Sequence, residues 1–350
     1  MSFTDNKRNE IKRYLLRKVD EDDAAMIGKV SDAFGISATS VKRYVDSELK
    51  EKHIIADADK ACGYSLVFRK ETFSYDIDDI TDYEDEVVYE DFLPMFSEYE
   101  SAQRIWQYVL PEMLNNALEH SGGTTVTVDI WRCCLYTRIL MADDGIGIFK
   151  KITPELKKYG YRNPRLSDAV AELYKGKFTT CPERHSGEGI FFSMRMLDKM
   201  AILSDGLVLR SGYADGSALI RSHLLSYAMK LSKTGTVLIM QLENITKRTA
   251  KEVFAQYADP DCGFIRTTIP VFEACLDREP VARSQARRLS HRLDHFREVI
   301  LDFDKVTILG QGFADEMFRV FSNEHPEVTL TPVNMTEEVE RMYLCSRKRS

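Results

Sequence analysis

Residues 105–120, IWQYVLPEMLNNALEH, constrain the chain more than any other stretch. Glu112, Asn116 and His120 recur at every fourth residue, so on a helix they line one face. Leu110, Met113, Leu114, Ala117 and Leu118 supply apolar contacts on the other faces. A carboxylate and an amide one turn apart can do two jobs side by side. The amide oxygen can bind a hard cation such as Mg²⁺, and the carboxylate can orient or deprotonate a nucleophile. Taken alone, the same pattern also describes the polar edge of a partly buried helix. Pro111 implies either a kink or a helix that begins at that point.

A chain of 350 residues exceeds one ordinary core, so two or three domains are expected. The first ten residues, MSFTDNKRNE, hold no apolar leader segment, and no apolar run approaches the ~20 residues a membrane span needs. Seven cysteines, none in a CxxC pair, read as reduced thiols of a cytoplasmic protein. The net charge of −7 argues against a chain that coats nucleic acid, but leaves a local basic surface open.

Within residues 1–70 the apolar spacing predicts three helices and a hairpin. Ile11, Leu15, Leu16 and Val19 mark the first helix, and Ile27, Val30 and Phe34 the second. Gly35 suits a helix end and Ser37 the N-cap of a third helix, Ala38 to about Lys50. HIIADADKACGYSLVF then reads as two short strands. This order resembles a winged helix-turn-helix domain. The resemblance implies DNA contact through residues 37–50, with Lys42 and Arg43 on phosphates or bases. Many winged helices instead make protein or dimer contacts. From Glu71 to Glu100 there are 12 acidic residues and no Lys or Arg, so 71–96 is expected to be an acidic linker with a strand-like segment, whose interleaved Tyr75, Tyr83, Val87, Val88, Tyr89 and Phe92 pack against the protein.

TTVTVDIWR and CLYTRILMADDG predict a β-hairpin that ends in Asp143-Asp144-Gly145-Ile146-Gly147. Some forty residues on, His185-Ser186-Gly187-Glu188-Gly189 opens a helix, where free N–H groups favour phosphate. The interval 149–186, polar and irregular but for a helix expected over Leu166–Tyr174, predicts a mobile cover over a ligand. Further strands are expected near 201–210 and 217–221, before Gly235-Thr236 opens the strand GTVLIMQLEN.

ExxxNA, DxGxG, GxG and GT in this order resemble the GHKL ATPases, which include histidine kinases, gyrase and heat-shock protein 90, over residues 97–250. The fold class expected is α/β: a Bergerat-type α/β sandwich, with helices against one face of a mixed sheet. The resemblance implies ATP and Mg²⁺ as cofactors. It implies Asn116 as Mg²⁺ ligand and Glu112 as general base. Asp143 would bind the adenine amine, supported by Thr236. Gly145 and Gly147 would pass under the adenine, and Gly187 and Gly189 would carry the phosphates. Lys175, Lys177, Arg184 or His185 could reach the γ-phosphate. No His lies between 71 and 111, which disfavours histidine autophosphorylation. An ATP-hydrolysing switch and a serine/threonine kinase of the anti-sigma-factor type both remain open, as does a homodimer.

Leu289, Leu293, Phe296 and Ile300 predict an amphipathic helix over Val281–Glu298. From Glu298 onward the pattern is strand, turn, helix, strand, helix, with Thr307 still in the first strand. It resembles the STAS-like domain of unknown function found after GHKL domains, and the domain is placed at 262–346. Acceptor serines of STAS domains sit at the turn opening the first helix. That turn is Leu309-Gly310-Gln311-Gly312-Phe313, with no hydroxyl, so a docking role toward a protein partner is expected instead.

Overall fold

A computed structural model describes residues 4–179, 187–212, 235–275 and 279–347. The expected strand at 217–221, and Arg184 and His185, lie outside them. Helix α1 (Asp5–Asp20) starts where the Thr4 hydroxyl accepts from the Lys7 N–H. Helix α2 (Met26–Phe34) ends at Gly35, whose φ of 62° is the left-handed value a helix stop requires. Ser37 caps α3 (Ala38–Arg43), which runs on as a wider turn over Tyr44–Lys50. Strands β1 (Ile55–Asp57) and β2 (Tyr64–Leu66) pair antiparallel beside them. Ile11, Leu15, Val30, Val41 and Leu49 fill this small core.

The stretch read as an acidic linker is instead built into the central sheet. Strand β3 (Arg69–Asp76) pairs antiparallel with β4 (Thr125–Arg132) over its whole length. Short turns then bury Ile77, Ile80, Val88, Phe92, Leu93 and Phe96. The charges occupy the solvent side of this segment, and the interleaved apolar residues pack as expected, but as part of the sheet and core rather than of a linker.

The sheet has the order β3-β4-β5-β8-β6-β7, with β5 Tyr136–Asp143, β6 Lys199–Ser204, β7 Leu207–Ser211 and β8 Thr236–Glu243. Every described pair is antiparallel, which corrects the mixed sheet expected. Alternation along the strands separates two faces. Val128, Ile139, Met141 and Met240 face the main core, whereas Leu140, Ala142, Val237 and Ile239 form a smaller cluster behind.

Helix α4 (Glu100–His120) lies on the main-core face and runs through Pro111 without ending there, so it begins eleven residues before Pro111. The interval after β5 carries the helix expected at 166–174 and another before it, where irregular chain was expected. Helix α5 spans Ile148–Glu155 and α6 Leu166–Lys175, and Phe149, Ile152 and Leu156 anchor them in the core. Helix α7 (Gly189–Met196) and α8 (Ala250–Tyr257) complete the layer.

A second, three-stranded sheet closes the chain. Strands β9 (Arg266–Pro270), β10 (Glu298–Asp302) and β11 (Thr329–Val333) are parallel in that order. Helices α9 (Arg283–Ser290), α10 (Gln311–Asp315) and α11 (Glu337–Arg347) alternate with them. The helix expected over 281–298 therefore stops at Ser290. Arg292 adopts φ of 61°, and the chain turns at Leu293–His295 before entering β10. Leu289, Leu293 and Phe296 are all buried, as their spacing requires, but across a helix end and a turn. Thr307 lies beyond the end of β10 and donates to Glu279 Oε1 at 2.8 Å.

Candidate functional site

One cavity of about 450 Å³ opens between α4, the sheet ends and α7. Helix α4 contributes Tyr108, Glu112, Asn116 and His120, four residues at a strict spacing of four. Asn116 Nδ2 donates to the Glu112 carbonyl at 2.6 Å. A carbonyl only accepts, so the amide nitrogen faces the helix and the amide oxygen is left for a ligand. Burial, followed by the nearby Glu112 and Glu188 carboxylates, pushes the Tyr108 phenol above its ordinary range.

The sheet supplies the opposite end. Antiparallel pairing of Ala142 with Val237 sets the last residue of β5 beside the first of β8. Asp143 Oδ1 accepts from the Gly145 N–H at 3.0 Å and from the Thr236 N–H at 3.2 Å. Burial raises the Asp143 carboxyl above its usual range, and these two donors only partly offset it. A carboxylate has acceptor sites beyond these two bonds. Its neighbour behaves oppositely. Burial is outweighed at Asp144 by bonds from the Thr125 and Thr124 N–H groups and the Thr124 hydroxyl, which hold it at about 2. Asp144 thus pins the turn, while Asp143 faces the cavity.

Gly187 and Gly189 line the third side. Gly187 has φ of 73°, and a side chain there would collide with the Phe178 carbonyl. A side chain at Gly189 would collide with Glu112 Oε2, so this glycine lets the carboxylate and the start of α7 meet. The Glu188 side chain does not cap α7, and the start of a helix favours an anion. Met141, Leu238, Phe178, Phe192 and Phe254 supply apolar walls.

Six of the residues marked in the sequence therefore converge: Glu112, Asn116, Asp143, Gly187, Gly189 and Thr236. Gly145 and Gly147 do not line the cavity. Gly145 rests against the Ser121 backbone, and Gly147 against Ser204 and Asp205. Nor do the two lysines considered for the γ-phosphate. Lys175 is fully buried beside Glu172, and Lys177 donates to the His295 carbonyl at 2.9 Å. Among the described residues, the Lys or Arg on the cavity wall is Lys151. Lys42 and Arg43 sit apart on α3, both exposed.

Tyr108, Lys151 and Phe254 escaped the sequence reading. Extending the fourfold spacing of α4 back one turn would have found Tyr108. Phe254 packs edge-on against Tyr108 with ring centroids 5.3 Å apart, so the pocket reaches past the boundary drawn at residue 250.

The C-terminal segment alternates parallel strands with helices. A family model described as a STAS-like domain of unknown function (DUF4325) matches residues 285–340. No curated protein matches the chain. The opening turn of α10 in this STAS-like segment packs inward, with the Gly310 N–H donating to the Pro280 carbonyl at 2.9 Å. Among the described residues, no helix is long and apolar enough to cross a membrane.

Proposed function

We propose that this chain is an ATP-binding regulatory protein, a Mg²⁺-dependent ATPase switch of the GHKL kind with a winged helix that contacts DNA. The observation that carries this reading is the convergence of Glu112, Asn116, Asp143, Gly187, Gly189 and Thr236 on one cavity. Asp143, buried and already oriented by two backbone donors, suits the amine of an adenine ring. The glycine-flanked start of α7 suits phosphate. The free amide oxygen of Asn116 suits a hard cation. Among the described residues no cluster of three or more His, Cys, Asp and Glu could hold a metal ion, so Mg²⁺ would be held by Asn116 together with phosphate oxygens. When bound, that ion supplies charge neutralisation along the phosphates. Glu112, one turn before Asn116 and against Gly189, is placed to orient and deprotonate an attacking water.

Asn116→Ala should weaken Mg²⁺-dependent ATP binding by ~1–3 kcal/mol, the worth of one lost contact to a charged group. Titration calorimetry reads this directly. No heat from the wild-type protein with ATP and Mg²⁺ would end the nucleotide reading. Phosphate labelling then separates the two chemistries. Free phosphate without labelled protein supports the switch, and label transferred to a separate protein supports the serine/threonine kinase.

The DNA part of the reading rests on the exposure of Lys42 and Arg43 on α3. If each touches one phosphate, Lys42→Ala with Arg43→Ala should reduce the salt slope of duplex binding by about 2. Wild-type binding no tighter than ~10⁻⁴ M at physiological salt would remove DNA as the partner.

A further inference from the structure

The STAS-like segment reaches the chain that forms one cavity wall through the Arg292 side chain, beside the His295 carbonyl that accepts from Lys177. Arg292 sits at the turn between α9 and β10, in the left-handed conformation, with its guanidinium nearly buried. One terminal nitrogen donates to Glu172 Oε2 on α6 at 2.9 Å. The other donates to the Lys177 carbonyl at 2.6 Å. The guanidinium also lies over the rings of Tyr159 and Phe178, at 4.6 and 5.3 Å from their centroids. A planar fork is needed to make these contacts at once.

What the fork holds is the segment that shapes the pocket. Gly176 and Lys177 both have positive φ, 80° and 57°. For Lys177 that conformation is costly and persists only where its surroundings impose it. Phe178 and Thr179 come next, and both line the cavity. The Phe178 carbonyl in turn is the surface against which Gly187 packs. A short run of contacts thus leads from Arg292 to Lys177, to Phe178, and to the turn that opens α7.

We propose that Arg292 is a positioning residue of the cavity: the STAS-like segment uses it to fix the Lys177–Thr179 wall and, through that wall, the phosphate-facing turn. This rests on the nucleotide reading of the pocket. A partner that draws on the STAS-like segment would then alter the pocket without entering it.

The test compares Arg292→Lys, Arg292→Ala and Arg287→Ala in the full chain, with ATP and Mg²⁺ as the probe. Lysine keeps a charge for Glu172 but cannot reproduce the fork on Lys177. Arg292→Lys should therefore keep its melting temperature within a few degrees and lose about tenfold in ATP affinity, with KM rising more than kcat falls. Arg292→Ala should lose both affinity and stability. Arg287, paired with Glu316 within the STAS-like segment, should be neutral for binding. A folded Arg292→Lys protein with wild-type ATP affinity overturns the proposal. Backbone amide exchange at residues 177–179 and 187–189 provides a readout without nucleotide. Faster exchange there in Arg292→Lys supports the positioning role even if the wild type binds no ATP, and unchanged exchange overturns it.

Discussion

Glu112→Gln should bind ATP·Mg²⁺ about as well as the wild type and release phosphate about 10²–10⁴-fold more slowly, the usual worth of a general base. Glutamine keeps the size of the side chain and its place against Gly189. What it loses is the ability to accept a proton. Since the carboxylate lies at the start of α7, neutralising it also removes a negative charge from the phosphate-facing end, so binding is not expected to weaken. Calorimetry and single-turnover phosphate release separate the two effects. Equal turnover by the variant would show that Glu112 is only part of the wall. The same substitution bears on the kinase reading, because a transferred phosphate also needs its acceptor hydroxyl deprotonated.

The site was legible where local periodicity decides position. Glu112, Asn116 and His120 share a helix face by arithmetic, and the DG and GT turns mark strand ends that antiparallel pairing then sets side by side. Long-range pairing was not legible. Lys177 read as a free cation because nothing nearby in the sequence announces the His295 carbonyl 118 residues away, and Lys175 because Glu172, three residues before it, gives no sign that the pair is buried. The acidic stretch read as a linker because counting charge ignores which side of a strand the charge is on. The helix over 281–298 kept its buried residues but not its form, since Leu289, Leu293 and Phe296 can meet one core across a turn as well as along a helix. In each case tertiary contacts chose between elements or partners that the local sequence leaves close in cost.

The same buried partners set the largest expected stability effect. Glu172 is 0 % exposed and Lys175 1 %. The Glu172 carboxylate accepts from Lys175 Nζ at 2.5 Å, from the Tyr161 hydroxyl at 2.7 Å and from Arg292 at 2.9 Å. Lys175 also donates to the His291 carbonyl at 2.9 Å, so the cluster ties α6 to the STAS-like segment. Burial alone would raise the Glu172 carboxyl, but the Lys175 and Arg292 cations outweigh it and hold the group below its usual range. Glu172→Ala leaves Lys175 buried without its counter-charge and should cost about 3–5 kcal/mol in denaturant unfolding at pH 7. Replacing Glu172, Lys175 and Arg292 together by apolar residues of similar size should cost much less, because no charge is then stranded. The pH dependence has a definite sign. A depressed folded-state pKa gives stability that is complete above the unfolded value of 4.5 and is lost as pH falls through the lower folded value. The gap between wild type and Glu172→Ala should therefore narrow as unfolding is measured at successively lower pH below 4.5. A deficit under about 1 kcal/mol at pH 7 would mean that Lys175 is neutral in the folded protein and that the cluster orders the two sheets without stabilising their contact.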